Sequence, residues 1–99
     1  MTSRRKGARV ERELAHKLQN EGFAAEKVSR AYTPGHDLSV PLLGRDMRVE
    51  VKARTEFKTL QGYIDKGADI LLLKADRRPP LVVLPWALAL EIARKVEGL

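Results

Sequence analysis

The segment that most constrains the fold is GHDLSVPLLGRDMRVEVKAR, which runs from Gly35 to Arg54. It contains two apolar stretches joined by GRD, a short turn-forming connection, and this pattern predicts a β-hairpin. Successive side chains of a strand point to opposite faces. One face of the second strand is therefore expected to be apolar, while the other carries Arg48, Glu50 and Lys52.

Helical periodicity and turn residues divide the rest of the chain. Val10, Leu14 and Leu18 form an apolar stripe on a first helix over about residues 5–21, and glycines at 22 and 67 are expected to end helices. The other predicted elements are a strand at about residues 23–32, a helix at 56–66 capped by Thr55, strands ADILLLKA and LVVL, and a last helix WALALEIARKVE after Pro85. The predicted order is α-β-β-β-α-β-β-α.

Two of these strands carry further expectations. ADILLLKA is a continuous apolar run of strand length, which is typical of a strand buried on both faces. Pro41 cannot donate a backbone hydrogen bond, so the first hairpin strand is expected to lie at a sheet edge or to end near this residue. The pattern predicts an α/β fold.

Length and composition limit the class of protein. A chain of 99 residues with no repeat and no linker predicts one domain over residues 1–99. The absence of cysteine excludes disulfides and cysteine-rich zinc sites and fits a reducing compartment. No apolar run approaches the roughly 18 residues of a membrane span. We expect a cytoplasmic protein without a membrane partner; association with the nucleoid and a phage origin both stay open.

The charge of the chain is strongly basic. It has 19 Lys and Arg against 13 Asp and Glu, a net charge of +6 and a pI near 10. Such an excess favours a polyanionic partner, above all nucleic acid, although ordinary solubility charge is the alternative. The first residues, 1–6, are read as a basic N-terminal arm in which Arg4, Arg5 and Lys6 contact DNA.

The hairpin holds a set of residues suited to phosphodiester hydrolysis. Glu50 and Lys52 share a strand face, and pairing across the hairpin brings Asp37 near Glu50. The two carboxylates, with the backbone carbonyl of Val51, are the oxygen ligands that Mg²⁺ prefers. Lys52 can then neutralise charge that develops on the phosphate. The competing interpretation is an exposed strand face with a cross-strand salt bridge.

An acid on the first helix extends this set. Glu11 lies beside the apolar stripe of the helix, and an acid at the border of a buried stripe can reach across to a sheet. Glu13 is the competing candidate, but it sits further round the helix and is expected to face water.

Together, KGARVERELAHKLQNEGFAAEKVSR, HDLSV and VEVKAR resemble the archaeal-type Holliday junction resolvases of the PD-(D/E)XK nuclease superfamily. The resemblance covers about Lys6 to Arg54 and continues more faintly through LQGYIDKGADILLLKADRRPPLVVLP, where Gln61 matches a glutamine that these enzymes often carry. His36 stands where the motif usually has proline. The chain is also short for a resolvase, which bears on its selectivity for four-way junctions.

The resemblance implies a restriction-endonuclease-like αβββαβ core with a central mixed β-sheet flanked by helices. It implies a homodimeric endodeoxyribonuclease of DNA recombination and repair that depends on Mg²⁺ or Mn²⁺ and acts on branched DNA. Glu11 would be the distal catalytic acid, Asp37 and Glu50 the metal-binding carboxylates, and Lys52 the catalytic lysine. Ser29 and Arg30 would lie near the DNA backbone.

Three further residues complete the predicted DNA contacts, namely Arg54, Lys58 and Gln61. Two other functions stay open: a non-catalytic DNA-binding protein that keeps the nuclease fold, and an interaction module of a repair or phage-like replication system. A set of four converging ionisable residues favours the enzyme, because a binding module has no need of carboxylates that repel phosphate.

Overall fold

A computed structural model describes residues 3–28 and 37–99, and within them the side chains from residue 7 onward. Its elements are α1 (Ser3–Asn20), β1 (Glu26–Lys27), β2 (Leu38–Leu42), β3 (Arg45–Val49), α2 (Lys58–Asp65), β4 (Leu71–Leu73), β5 (Leu81–Val83) and α3 (Trp86–Glu97). This confirms the predicted α/β class and the predicted order of elements. Within the described ranges, no helix is both long enough and apolar enough to cross a membrane.

The chain divides into two compact units. The first unit comprises Met1–Ala53 with Val96–Leu99, and the second comprises Arg54–Lys95. Each described sheet is antiparallel, with order β1-β2-β3 in the first unit and β4-β5 in the second. The single mixed sheet that we expected to join the hairpin with ADILLLKA is therefore not formed by the described residues. A single domain over residues 1–99 stays a prediction.

The core of the first unit lies on one face of its sheet. Leu38 is opposite both Lys27 of β1 and Val49 of β3. The buried hydrophobic residues are Ala15, Phe23, Ala25, Leu38 and Val40. Alternation along the strands explains this set, because Leu38 and Val40 are two residues apart and share a face. Helix α1 contributes Ala15 to the same core.

The β2–β3 hairpin turns through two residues rather than through the expected GRD. Leu43 and Gly44 have φ values of 57° and 76°, so both lie in the left-handed region, and β3 begins directly at Arg45. Two-residue connections of this kind match the twist of the paired strands. The match outweighs the cost of placing leucine, a residue with a Cβ, in the left-handed region. Pro41 lies beyond the part of β2 that pairs with β1, so its missing N–H is tolerated.

Helix α1 begins earlier and ends as predicted. Since the helix starts at Ser3, the backbone of Arg4, Arg5 and Lys6 is helical, and the segment read as an arm forms the first turns of α1. At the other end, the N–H groups of Gly22 and Phe23 donate to the carbonyl oxygens of Gln19 and Leu18, both at 3.0 Å. This pair of bonds is a Schellman motif, with Gly22 at a φ of 98°.

The sheet of the second unit differs from the prediction in its burial. Leu72 pairs directly with Val82 across the two antiparallel strands, and these side chains are 66% and 60% exposed. Ile70, on the same side as Leu72, is 51% exposed. The expectation that ADILLLKA is buried on both faces is therefore wrong. Among the described residues β4 pairs with β5 alone, and the face that carries Leu72 and Val82 is largely uncovered.

Helix α2 is shorter than predicted and is capped differently. Its N-cap residue is Phe57, not Thr55. The side-chain Oε1 of Gln61 accepts a hydrogen bond from the Phe57 N–H at 3.3 Å, so a glutamine within the helix satisfies a terminal donor. Gly67 ends the helix as predicted, with its N–H donating to Ile64. The last helix, α3, has the predicted bounds.

Candidate functional site

Asp37 joins the three strands of the first unit where β2 begins. Its N–H donates to the Val49 carbonyl at 2.9 Å, and its own carbonyl accepts from the Val28 N–H at 3.0 Å. Its side-chain Oδ2 accepts from the Val51 N–H at 2.7 Å. A carboxylate thus takes the place of a backbone acceptor just beyond the β2–β3 ladder. This bond fixes the Asp37 side chain against the segment that carries Glu50 and Lys52.

Glu50 and Lys52 share the exposed side of that segment. Exposed and half-buried residues alternate from Met47 to Arg54, although β3 itself ends at Val49. The predicted charged face is therefore confirmed. The Lys52 Nζ lies 3.2 Å from Glu50 Oε1, and the two side chains are 62% and 64% exposed. Both groups are open to solvent and to a ligand of the size of a phosphate.

Asp37 and Glu50 lie just outside the β2–β3 ladder, Asp37 one residue before β2 and Glu50 one residue after β3. The last pair of the β2–β3 ladder is Leu38 with Val49, and the next position on each strand is Asp37 and Glu50. Their carboxylates and the Val51 carbonyl are hard oxygen donors, so the donor chemistry fits Mg²⁺ with several retained waters. In the described part of the chain, no three His, Asp or Glu side chains gather into a metal-binding group.

Glu11 lies in different surroundings. Its Oε2 is 3.5 Å from Lys27 Nζ, and the two side chains are only 12% and 27% exposed. Lys27 is the register partner of Leu38, so the pair lies on the face of the sheet that holds the core. Asp37 precedes Leu38 and by alternation belongs to the opposite face. The described residues thus bring Glu11 to Lys27, and its catalytic role stays a prediction.

Comparison of the chain with protein-family models, with curated protein sequences and with solved structures finds no match.

The predicted DNA contacts fall into three groups. Arg54 and Lys58 are exposed residues of the second unit, and Gln61 uses its Oε1 to cap α2. Arg4, Arg5 and Lys6 lie in the first turns of α1, and the side chains of these three residues are not described. Ser29 and Arg30 lie outside the described residues, and so does His36.

Lys27 was missed by reasoning from the sequence. The signal that points to it is the alternation of Phe23, Ala25 and Lys27, in which a lysine follows two buried residues on the same side of an extended segment. A lysine at such a position needs a partner, because burying an unpaired ammonium is costly. The acid that supplies this partner is Glu11.

Proposed function

We propose that the chain is a metal-dependent DNA endonuclease that hydrolyses phosphodiester bonds in branched DNA, as Holliday junction resolvases and related structure-selective nucleases do. The observation that carries the proposal is the 2.7 Å hydrogen bond from the Val51 N–H to Asp37. It ties an acid directly before β2 to the middle of the E-x-K segment directly after β3. The restriction-endonuclease-like αβββαβ core belongs to the same proposal.

The residues of the site have separate roles. Asp37 and Glu50, with the Val51 carbonyl, are the ligands for Mg²⁺ or Mn²⁺. When bound, the metal supplies a Lewis acid for the phosphate and a water of lowered pKa. The Oδ2 of Asp37 accepts a hydrogen bond from the Val51 N–H, which restricts the orientation of the carboxylate. Lys52 is exposed, and its ammonium neutralises charge that builds up on the scissile phosphate.

The basic charge supports DNA as the substrate. A net charge of +6 draws the chain to a polyanion, and three cations lie in the first two turns of α1. Carboxylates in a binding surface repel phosphate unless a cation offsets them. Lys52 offsets the charge of Glu50 at 3.2 Å, so it is Asp37 that binding alone leaves unexplained.

The test is Mg²⁺-dependent cleavage of four DNA substrates: duplex, flap, single strand and four-way junction. We expect cleavage by the wild-type chain, strongest on branched DNA, and none with EDTA. Glu50→Gln hardly changes volume and removes one metal-binding charge, so it should abolish cleavage while DNA binding persists. Glu91→Gln, an exposed acid of α3, is the matched control and should cleave as the wild type does. Full activity in a folded Glu50→Gln chain would exclude this mechanism.

A second function has its own supporting observation. Glu11 and Glu50 each lie within ion-pair distance of a lysine, although Glu50 pairs along its own segment and not across the strands as the salt-bridge interpretation expected. On that view the chain is a DNA-binding protein without catalysis. DNA affinity with no cleavage of any substrate under Mg²⁺ or Mn²⁺ would favour it. Glu50→Gln would then act only through stability, by about 0–1 kcal/mol for an exposed pair.

We propose a homodimer as the working assembly in the cytoplasm. An isolated two-stranded sheet is at best marginally stable in water. The β4–β5 sheet leaves Leu72 and Val82 largely exposed, and a second copy is one way to cover such a face. Sedimentation at micromolar concentration should give a dimer. A monomer under those conditions would contradict the assembly and paired cleavage of a junction.

A further inference from the structure

Lys27 stands out because neither the sequence motif nor the proposed chemistry assigns it a task. Its ammonium lies 3.5 Å from Glu11 Oε2, and only 27% of its side chain is exposed. It sits on the face of the sheet that carries the core, opposite Leu38, which is 1% exposed. A cation in this position is costly unless its partner is fixed, so the pair ties α1 to β1 at a defined point.

On the side of α1 that faces β1, the buried Ala15 lies between two polar residues, Glu11 and Gln19. Glu11, Ala15 and Gln19 recur every four residues and therefore share one side of the helix. Ala15 is buried, and Gln19 Nε2 donates to the Ala25 carbonyl at 2.7 Å. Glu11 pairs with Lys27 two residues further along the strand. Two contacts thus hold α1 to this segment, the Gln19–Ala25 hydrogen bond and the Glu11–Lys27 ion pair. The ion pair is the one nearer to Asp37.

Lys27 is connected to Asp37 through the backbone. The next residue, Val28, donates its N–H to the Asp37 carbonyl at 3.0 Å. The Asp37 carboxylate in turn accepts from the Val51 N–H at 2.7 Å. The N–H groups of Val28 and Val51 therefore both donate to Asp37, so their hydrogen exchange depends on the position of this residue. If the end of β1 moves, the first of these bonds is strained directly and the second through Asp37 itself.

We propose that Lys27 is a positioning residue: by holding Glu11 it fixes the end of β1 against α1, and so fixes Asp37 for its part in the site. Its catalytic consequence rests on the proposed function. Lys27 acts through other residues and does not touch the substrate. A purely structural ion pair would change the stability of the whole unit, whereas a positioning residue changes the local order of Asp37.

The first experiment follows amide hydrogen exchange at Val28 and Val51. Lys27→Met should speed exchange at both by about tenfold or more, because it lowers the free energy of local opening. Lys27→Arg keeps the charge and should restore wild-type exchange. Gly67, whose N–H bonds within the second unit, should exchange as in the wild type. Lys17→Met, an exposed cation of α1, is the matched control. Wild-type exchange at Val28 and Val51 in folded Lys27→Met would overturn the proposal.

The second experiment measures single-turnover cleavage of four-way junction DNA in Mg²⁺. Lys27→Met should lower the cleavage rate by about ten- to a hundredfold through misplacement of Asp37. The Kd for DNA should stay unchanged, and Lys27→Arg should recover the rate. A wild-type rate in Lys27→Met would overturn the proposal. If the wild-type chain does not cleave, the proposed function fails, while the exchange result still decides whether Lys27 positions Asp37.

If Lys27→Met does not fold, a double variant takes its place. Glu11→Gln with Lys27→Gln removes both charges and leaves no unpaired carboxylate near the core, so it is expected to fold where Lys27→Met does not. Faster exchange at Val28 and Val51 in this double variant supports positioning by the ion pair. Unchanged exchange in the folded double variant overturns it.

Discussion

At the scale of single residues, Asp37 has two separable properties, a charge and a hydrogen-bond acceptor. In the proposed function, the charge serves to bind a metal ion. The acceptor matters for the backbone, since Oδ2 satisfies the Val51 N–H at 2.7 Å. Asparagine keeps an oxygen for this bond and loses the charge, whereas alanine loses both. The two substitutions therefore separate the proposed chemistry from the fold.

We predict that Asp37→Asn and Asp37→Ala both abolish cleavage, but only Asp37→Ala lowers stability. Loss of the hydrogen bond should cost about 1 kcal/mol in the free energy of unfolding. Denaturation with urea and a cleavage assay on the same samples measure the two effects. Wild-type cleavage in Asp37→Asn would contradict the proposed role of this charge.

Leu43 provides a residue-scale prediction that is independent of function. Its φ of 57° is unfavourable for a residue with a branched side chain, and the side chain is 65% exposed. Leu43→Asn should raise the free energy of unfolding by about 1 kcal/mol, because asparagine tolerates the left-handed region better. Leu43→Ala removes the apolar surface without relieving the backbone, so it should give no comparable gain. Equal effects of both changes would indicate that exposure, not backbone strain, is the cause.

Some residue positions were predictable and others were not. The alternation MRVEVKAR placed Glu50 and Lys52 on one exposed face, because the period of a strand is a local property. The conformation of Leu43 depends on which two residues form the turn of the hairpin, and the sequence LLGRD is compatible with more than one two-residue turn. The partnership of Glu11 with Lys27 depends on packing of α1 on β1, which no local pattern contains.

At the scale of elements, the ends of helices follow from local sequence better than the partners of strands do. Gly22 and Gly67 end α1 and α2 as predicted, because a helix C-terminus favours a residue that accepts positive φ. The apolar run around β4 looked like a buried central strand. Burial depends on what packs against both faces, and in the described residues that strand has one neighbour, β5.

We predict that Gly22→Ala lowers the free energy of unfolding by about 1–2 kcal/mol, the cost of a Cβ in the left-handed region. An added Cβ would also lie 3.4 Å from the Leu99 side chain, an ordinary contact, so conformation and not a clash causes the loss. Gly7→Ala, inside α1, is the control. It meets nothing within 4 Å and should stabilise the helix by about 1 kcal/mol. Chemical denaturation of both variants measures the difference, and a neutral Gly22→Ala would contradict this account.

At the scale of the whole molecule, charge is the property that composition determines best. The net charge of +6 needs no knowledge of the fold. The division into two compact units was not foreseen, because no change in composition marks residue 54. Nor does composition specify which strands form a sheet together. The predicted element order α-β-β-β-α-β-β-α was right, while the expected mixed sheet needs contacts between distant segments that a local pattern does not specify.

We predict that DNA affinity falls steeply with salt, with a slope of about −0.9 in log–log terms for each neutralised phosphate of duplex DNA. Replacing Arg4, Arg5 and Lys6 by alanine should flatten this slope. A variant lacking three exposed cations of the second unit, Lys66, Arg77 and Lys95, has the same net charge and serves as the control. Fluorescence anisotropy across a salt series measures both. An equal slope in the wild type and the α1 variant would show that these residues do not contact phosphate.

The open face of the β4–β5 sheet also has a colloidal consequence. Leu72 and Val82 form an exposed apolar patch on each molecule. At low ionic strength, electrostatic repulsion between molecules of net charge +6 keeps these patches from meeting. Added salt shortens the range of that repulsion to about 10 Å at 0.1 M and about 3 Å at 1 M. Salt at the concentrations used to remove nucleic acid from basic proteins would thus also weaken the protection of this chain against self-association. Light scattering should rise with salt in the wild type and less in Leu72→Lys.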